Sequence, residues 1–136
     1  MKELTLEAKV ANLQQVLDFV DENLKSMRCP MKILMQIDVA VEEIFVNIAS
    51  YAYAPGSGLA AVRVELEREP PAVAVSFRDR GVPYDPLARE DPEVNLLAQE
   101  RREGGLGIFL TKQVMDEVRY EYRDGQNVLT MRKIIR

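Results

Sequence analysis

The stretch from Met31 to Ala52 constrains the fold more than any other part of the chain. Ile33, Ile37, Ala40, Val41, Ile44 and Ile48 recur there at three- and four-residue intervals, the spacing of one helical face. Pro30 stands where proline suits a helix's first turn. Ala54-Pro55-Gly56-Ser57-Gly58 closes the segment with a turn. So apolar a helix is expected to lie at the centre of the molecule, and the rest of the chain must cover it. Glu3-Leu4-Thr5-Leu6-Glu7 alternates and reads as a short strand. Val10, Leu13, Leu17, Val20, Leu24 and Met27 form the stripe of a first helix, broken at Cys29-Pro30. Val62, Val64 and Leu66 alternate with charged residues, and Val73, Val75 and Phe77 follow after Glu69-Pro70-Pro71; these are two strands of a hairpin. A polar stretch, Arg80 to Glu103, leads to a helix opened by Gly104-Gly105-Leu106-Gly107. Strands at Val118–Tyr122 and Val128–Met131 flank the turn Asp124-Gly125-Gln126-Asn127. The order predicts an α+β fold: a two-layer α/β sandwich with a mixed, mostly antiparallel sheet covered by helices on one face.

A chain of 136 residues suits one domain, residues 1–136. With 18 basic and 22 acidic residues its net charge is −4. It lacks the positive field that direct binding of nucleic acid or an anionic membrane calls for. No apolar run is long enough to span a membrane, and Met1 to Val10 does not read as a signal peptide; a cytoplasmic location is expected. The single cysteine, Cys29, has no internal disulfide partner, and the absence of histidine removes His-based triads and phosphorylation on histidine.

Three places could carry chemistry. Glu43 and Asn47 are four residues apart and share a helix face. A carboxylate and a carboxamide are hard oxygen ligands suited to Mg²⁺, and the carboxylate could accept a proton from an attacking hydroxyl; the same pair also suits a solvated face. Asp79-Arg80-Gly81-Val82-Pro83 ends a strand. An acid there can accept a hydrogen bond from an exocyclic amine, with a glycine letting a flat ring approach; the same residues also make an ordinary polar turn. Glu103-Gly104-Gly105-Leu106-Gly107-Ile108 offers free backbone N–H groups at a helix N-terminus to phosphates, or serves as a hinge or a close-packing site. It is neither a dinucleotide fingerprint nor a P-loop.

In this order the three resemble the GHKL-type ATPase domain of gyrase, histidine kinases and mismatch-repair ATPases. The likeness is closest to the anti-sigma factor serine/threonine kinases of bacterial partner-switching systems. Glu43-Ile-Phe-Val-Asn47 resembles the N box, and Asp79-Arg-Gly81-Val-Pro83-Tyr-Asp85-Pro86 the first glycine box. Gly104-Gly-Leu-Gly107-Ile-Phe-Leu110 through Val118 resembles the second, and Asn127-Val-Leu-Thr130-Met the closing strand. The resemblance implies a histidine kinase-like ATPase fold and a set of roles. Asn47 would hold Mg²⁺ on the phosphates of ATP, and Glu43 would be the general base. Asp79 would bind the adenine amine, with Gly81 and Pro83 beside the ring and Thr130 supporting the contact. Gly104, Gly105, Leu106 and Gly107 would wrap the phosphates. Residues from about 84 to 103 would form an ATP lid, from which Arg101 or Arg102 could reach the γ-phosphate. Tyr51 stands where the family often has a histidine.

The implied activity is an ATP-dependent serine/threonine kinase that phosphorylates an anti-sigma factor antagonist and sequesters a sigma factor. A homodimer through the first helix and strand is also implied. A non-catalytic, nucleotide-gated binding module is the alternative, and an adaptor without nucleotide a third reading. Glu43 favours catalysis, since a pure binder has no use for a carboxylate beside the Mg²⁺ asparagine.

Overall fold

The computed structural model describes residues 1–88 and 105–135. The expected lid beyond residue 88, with Arg101, Arg102 and Gly104, lies outside them. Five strands, β1 (Lys2–Glu7), β2 (Leu59–Arg68), β3 (Pro71–Asp79), β4 (Glu117–Arg123) and β5 (Gln126–Ile134), form one sheet in the order β1-β2-β3-β5-β4. Among the described residues three helices, α1 (Leu13–Leu24), α2 (Met31–Asn47) and α3 (Gly105–Val114), accompany the sheet. Every strand pair is antiparallel, so the sheet is not mixed. The β2–β3 and β4–β5 pairs are hairpins. The last hairpin turns at Asp124 and Gly125, both at positive φ (54° and 76°), which fits a two-residue turn between twisted strands.

Strand alternation fixes which face is which. Val62, Val64, Val73, Val75, Phe77, Leu129 and Met131 point toward the helices and are buried with Ile37, Ala40, Val41, Ile44 and Phe45 of α2. Each of these side chains larger than alanine contributes about 1.5–3 kcal/mol by leaving water. α2 is the central helix, as its periodicity predicts. It ends at Asn47, and a π-helical turn, Ile48–Ala52, continues it. On α1 the buried face is Val16, Val20 and Leu24, with Leu13 and Leu17 partly buried. Val10, expected on that face, is 57% exposed because the chain enters α1 through a 3₁₀ turn, Val10–Asn12. Among the described residues, no helix is long and apolar enough to cross a membrane.

Between α1 and α2 the carboxyl groups of Asp21 and Asp38 each bury an oxygen, Oδ1, that has no hydrogen-bond partner among the described residues. Burial, then the hydrogen bond to Asp21 and that residue's charge, push Asp38 up to about 7. Burial, followed by the same two acids, also raises the Cys29 thiol, which keeps it in its unreactive form. The folded chain therefore holds a proton on Asp38 across a range where the unfolded chain has released it. Stability is expected to fall as pH rises from about 4 through 7 and to level off above. Asp38 is only partly buried, so screening by water limits the effect to about 1–2 kcal/mol. Denaturant unfolding of the Asp38→Asn variant across pH 4–8 should show this slope removed.

Candidate functional site

A cavity of about 380 Å³ opens where β3 and β5 meet the end of α2. Its apolar walls are Ile44, Ile48, Phe77 and Leu129; Asn47, Asp79, Tyr120 and Asn127 bring polar atoms to it. The register of the sheet builds this arrangement. Asp79 is the last residue of β3 and pairs directly with Asn127 near the start of β5. Both are on the helix-facing side of the sheet, in phase with Phe77 and Leu129.

Asp79 is 5% exposed. Its Oδ1 accepts hydrogen bonds from the Gly81 N–H (2.9 Å) and from Asn127 Nδ2 (2.9 Å). Among the described residues no hydrogen bond reaches Oδ2. Gly81 is required by close approach: a Cβ there would lie 2.1 Å from the Ala52 carbonyl oxygen. That carbonyl belongs to the π-helical turn and accepts the Val82 N–H at 3.0 Å. The loop after β3 is therefore tied to the end of the central helix. Val82, Pro83 and Tyr84 from this loop complete one side of the cavity. A buried acid with a free carboxylate oxygen, inside apolar walls of this size, fits a flat heterocycle that carries an exocyclic amine.

Asn47, the last residue of α2, lines the same cavity. Glu43 stands one turn earlier and is not part of the cavity wall. Its carboxylate packs against Gly107 of α3: a Cβ at Gly107 would lie 1.8 Å from Glu43 Cδ. Burial first, and the charge of Glu42 second, raise the Glu43 carboxyl above its ordinary value. A raised carboxylate is a better proton acceptor near neutral pH. α3 begins at Gly105, so Gly105, Leu106 and Gly107 form its first turn, whose N–H groups have no partner within the helix. These N–H groups and the positive end of the helix dipole suit an anion.

Asn47, Asp79 and Pro83 thus share one cavity, Gly81 shapes its loop, and Glu43 meets Gly107 beside it. Thr130 does not join them. It pairs with Ser76, lies out of phase with Leu129 and Met131, and so points to the sheet face away from the helices. Its expected place is taken by Asn127, which the sequence reading passed over. Strand alternation was the signal that could have found it: if Leu129 and Met131 face inward, so does Asn127. Tyr120 was missed as well. It is on the inward face of β4, and its hydroxyl donates to Asn127 Oδ1. Tyr51 lines the cavity and is 58% exposed.

The family described as the histidine kinase-like ATPase domain matches residues 6–133. The chain is 29% identical over 104 residues to the serine/threonine-protein kinase BtrW of Bordetella bronchiseptica, covering 76% of this chain and 72% of that protein. It is 27% identical over 104 residues to the serine-protein kinase RsbW of Staphylococcus aureus, covering 72% of this chain and 64% of the relative, just under two thirds of its length. Among solved structures, that of the RsbU and RsbW domains of Rv1364c from Mycobacterium tuberculosis superposes with a TM-score of 0.67 at 17% identity, covering 99% of this chain and 33% of the other. The SiaB–SiaC complex from Pseudomonas aeruginosa gives a TM-score of 0.62 at 16% identity, covering 97% of this chain and 89% of the other. With a family match over nearly its whole length, with the acid and the carboxamide in one cavity and with Glu43 set against the glycine-opened helix, the chain belongs to the histidine kinase-like ATPase domain family.

Proposed function

We propose that this chain is an ATP-dependent serine/threonine kinase that phosphorylates an anti-sigma factor antagonist and, in the same role, sequesters a sigma factor. The observation that carries the reading is the contact of Glu43 with Gly107, which sets a proton acceptor against the glycine-opened end of α3. Kinase relatives of 27–29% identity support the activity. Asp79 Oδ2 would accept the adenine amine, and the walls from Ile44 to Leu129 would bury the ring. The first-turn N–H groups of α3 would hold the phosphates. Asn47 supplies a hard oxygen at the cavity and would hold Mg²⁺, which usually keeps most of its other positions for phosphate oxygens and water. The ion would neutralise charge that develops on the transferred phosphoryl group. Glu43 would accept the proton of the acceptor serine or threonine hydroxyl as that oxygen attacks the γ-phosphorus. The bond to the bridging oxygen of ADP breaks in the same step.

The test is incubation with γ-labelled ATP and candidate antagonist proteins. Label on a serine or threonine of one antagonist supports the reading. ATP binding without transfer to any of them leaves the nucleotide-gated binding module in its place.

Gly107→Ala gives a sharper check on the geometry. The added methyl would overlap the Glu43 carboxylate and must displace it. Alanine is a better helix residue than glycine by about 1 kcal/mol, so the fold is not the casualty. Transfer is expected to drop about 10- to 100-fold, with thermal unfolding unchanged or slightly raised.

A further inference from the structure

Asn127 does more than fill the place opposite Asp79. It is 7% exposed, and both ends of its amide are occupied. Oδ1 accepts from the Tyr84 N–H at 3.1 Å and from the Tyr120 hydroxyl. Nδ2 donates to Asp79 Oδ1 and to the Val82 carbonyl, each at 2.9 Å, and lies 3.4 Å from the Gly81 carbonyl. A flipped amide would set N–H against N–H at Tyr84 and oxygen against oxygen at Asp79, so the network dictates the orientation. One side chain therefore joins the end of β3, the loop from Gly81 to Tyr84, and β4.

The consequence concerns Asp79. Two donors, the Gly81 N–H and Asn127 Nδ2, converge on Oδ1 and leave Oδ2 as the oxygen available to a ligand. Nothing else among the described residues fixes which oxygen faces the cavity. We infer that Asn127 is a positioning residue: through its amide it locks the Asp79 carboxylate and the adjoining loop so that Oδ2 is presented to a purine amine. The inference rests on the ATP reading above and deepens it. Other side chains supply only part of the set. Threonine has one donor for two acceptors and strands Asp79 Oδ1 or the Val82 carbonyl. Aspartate keeps the acceptors but loses both donors.

The experiment compares ATP binding by the intact wild-type chain, Asn127→Asp and Asn127→Thr at pH 5.5 and pH 8, by calorimetry. In Asn127→Asp two carboxyl groups would stand about 3 Å apart and must share a proton to coexist. At pH 8 the affinity should fall about tenfold or more. At pH 5.5 the shared proton restores a donor between the two groups, and most of the loss, taken relative to wild type at the same pH, should be recovered. Asn127→Thr should lose about three- to tenfold at both values. Tyr84, Asp85, Tyr120 and Tyr122 surround the pair from the loop and β4, with Tyr51 and Arg80 nearby; all are present in the three proteins, as is the phosphate titration of ATP. Their effects cancel in the comparison. A merely structural role for Asn127 would weaken both variants without the pH recovery. Wild-type binding together with unchanged affinity in both variants, or an Asn127→Asp deficit equal at the two pH values, overturns the inference alone. Absence of ATP binding in the wild type overturns the ATP reading and this inference with it. Should Asn127→Asp unfold at pH 8, Asn127→Thr decides: unchanged affinity overturns the inference, and the stated loss at both pH values supports it.

Discussion

Asp79→Asn is expected to weaken ATP binding about a hundredfold while leaving the chain folded. Asp79 is buried, and its two oxygens have separate tasks. Oδ1 takes the Gly81 N–H and the Asn127 amide; Oδ2 is left for the ligand. An asparagine has one acceptor oxygen. With its oxygen in the Oδ1 position, its NH₂ meets the purine amine, donor against donor. With the amide turned round, the Gly81 and Asn127 donors lose their acceptor. Either way a charge-assisted hydrogen bond is lost and a buried polar group goes unpaired, a cost of about 1.5–3 kcal/mol, or roughly 10- to 150-fold in affinity. Calorimetric titration of wild type and variant reads the difference, and circular dichroism establishes that both are folded. Equal affinities would remove Asp79 from the binding site.

Glu43→Gln is expected to do the reverse: phosphoryl transfer should fall at least a hundredfold, with ATP affinity within about threefold of wild type. The substitution keeps size and shape, so packing against Gly107 is preserved. It removes only the ability to accept a proton, which is worth about 10²–10⁴ in rate for a positioned base. The pH profile gives a second reading. Burial holds the Glu43 carboxyl above its ordinary range, and only the ionised form is a base. Transfer should therefore decline as pH falls through this raised value, and the residual activity of Glu43→Gln should lack that limb. Transfer at the wild-type rate in Glu43→Gln would end its role as base.

The elements were legible because their signals are local. Pro30 and the Pro55-Gly56 turn bracket the central helix, and the alternation of Val62, Val64 and Leu66 marks its strand without reference to anything distant. What sequence reading missed depends on partners far along the chain. Val16 is fully buried and Val10 exposed because the 3₁₀ turn before α1 rotates the face, an effect periodicity alone does not carry. The π-helical turn after Asn47 exists where the Ala52 carbonyl meets the loop after β3. The motifs pointed to Glu43, Asn47, Asp79 and Gly81 because each sits at an element's end or on its face. Thr130 was assigned by resemblance against the period of its own strand, in which Asn127 is the inward residue. The Glu43–Gly107 contact spans α2 and α3, and no spacing rule reaches across that distance. The shared cavity likewise follows from the antiparallel register of β3 and β5.

Titration of the purified, folded chain with Mg-ATP bears most directly on the reading of the cavity as a nucleotide site. Saturable binding at one site per chain is expected, with a dissociation constant in the usual range of about 1 μM to 1 mM for such ligands, and displacement by ADP. A folded chain that gives no binding heat with ATP or ADP at millimolar concentration would contradict it.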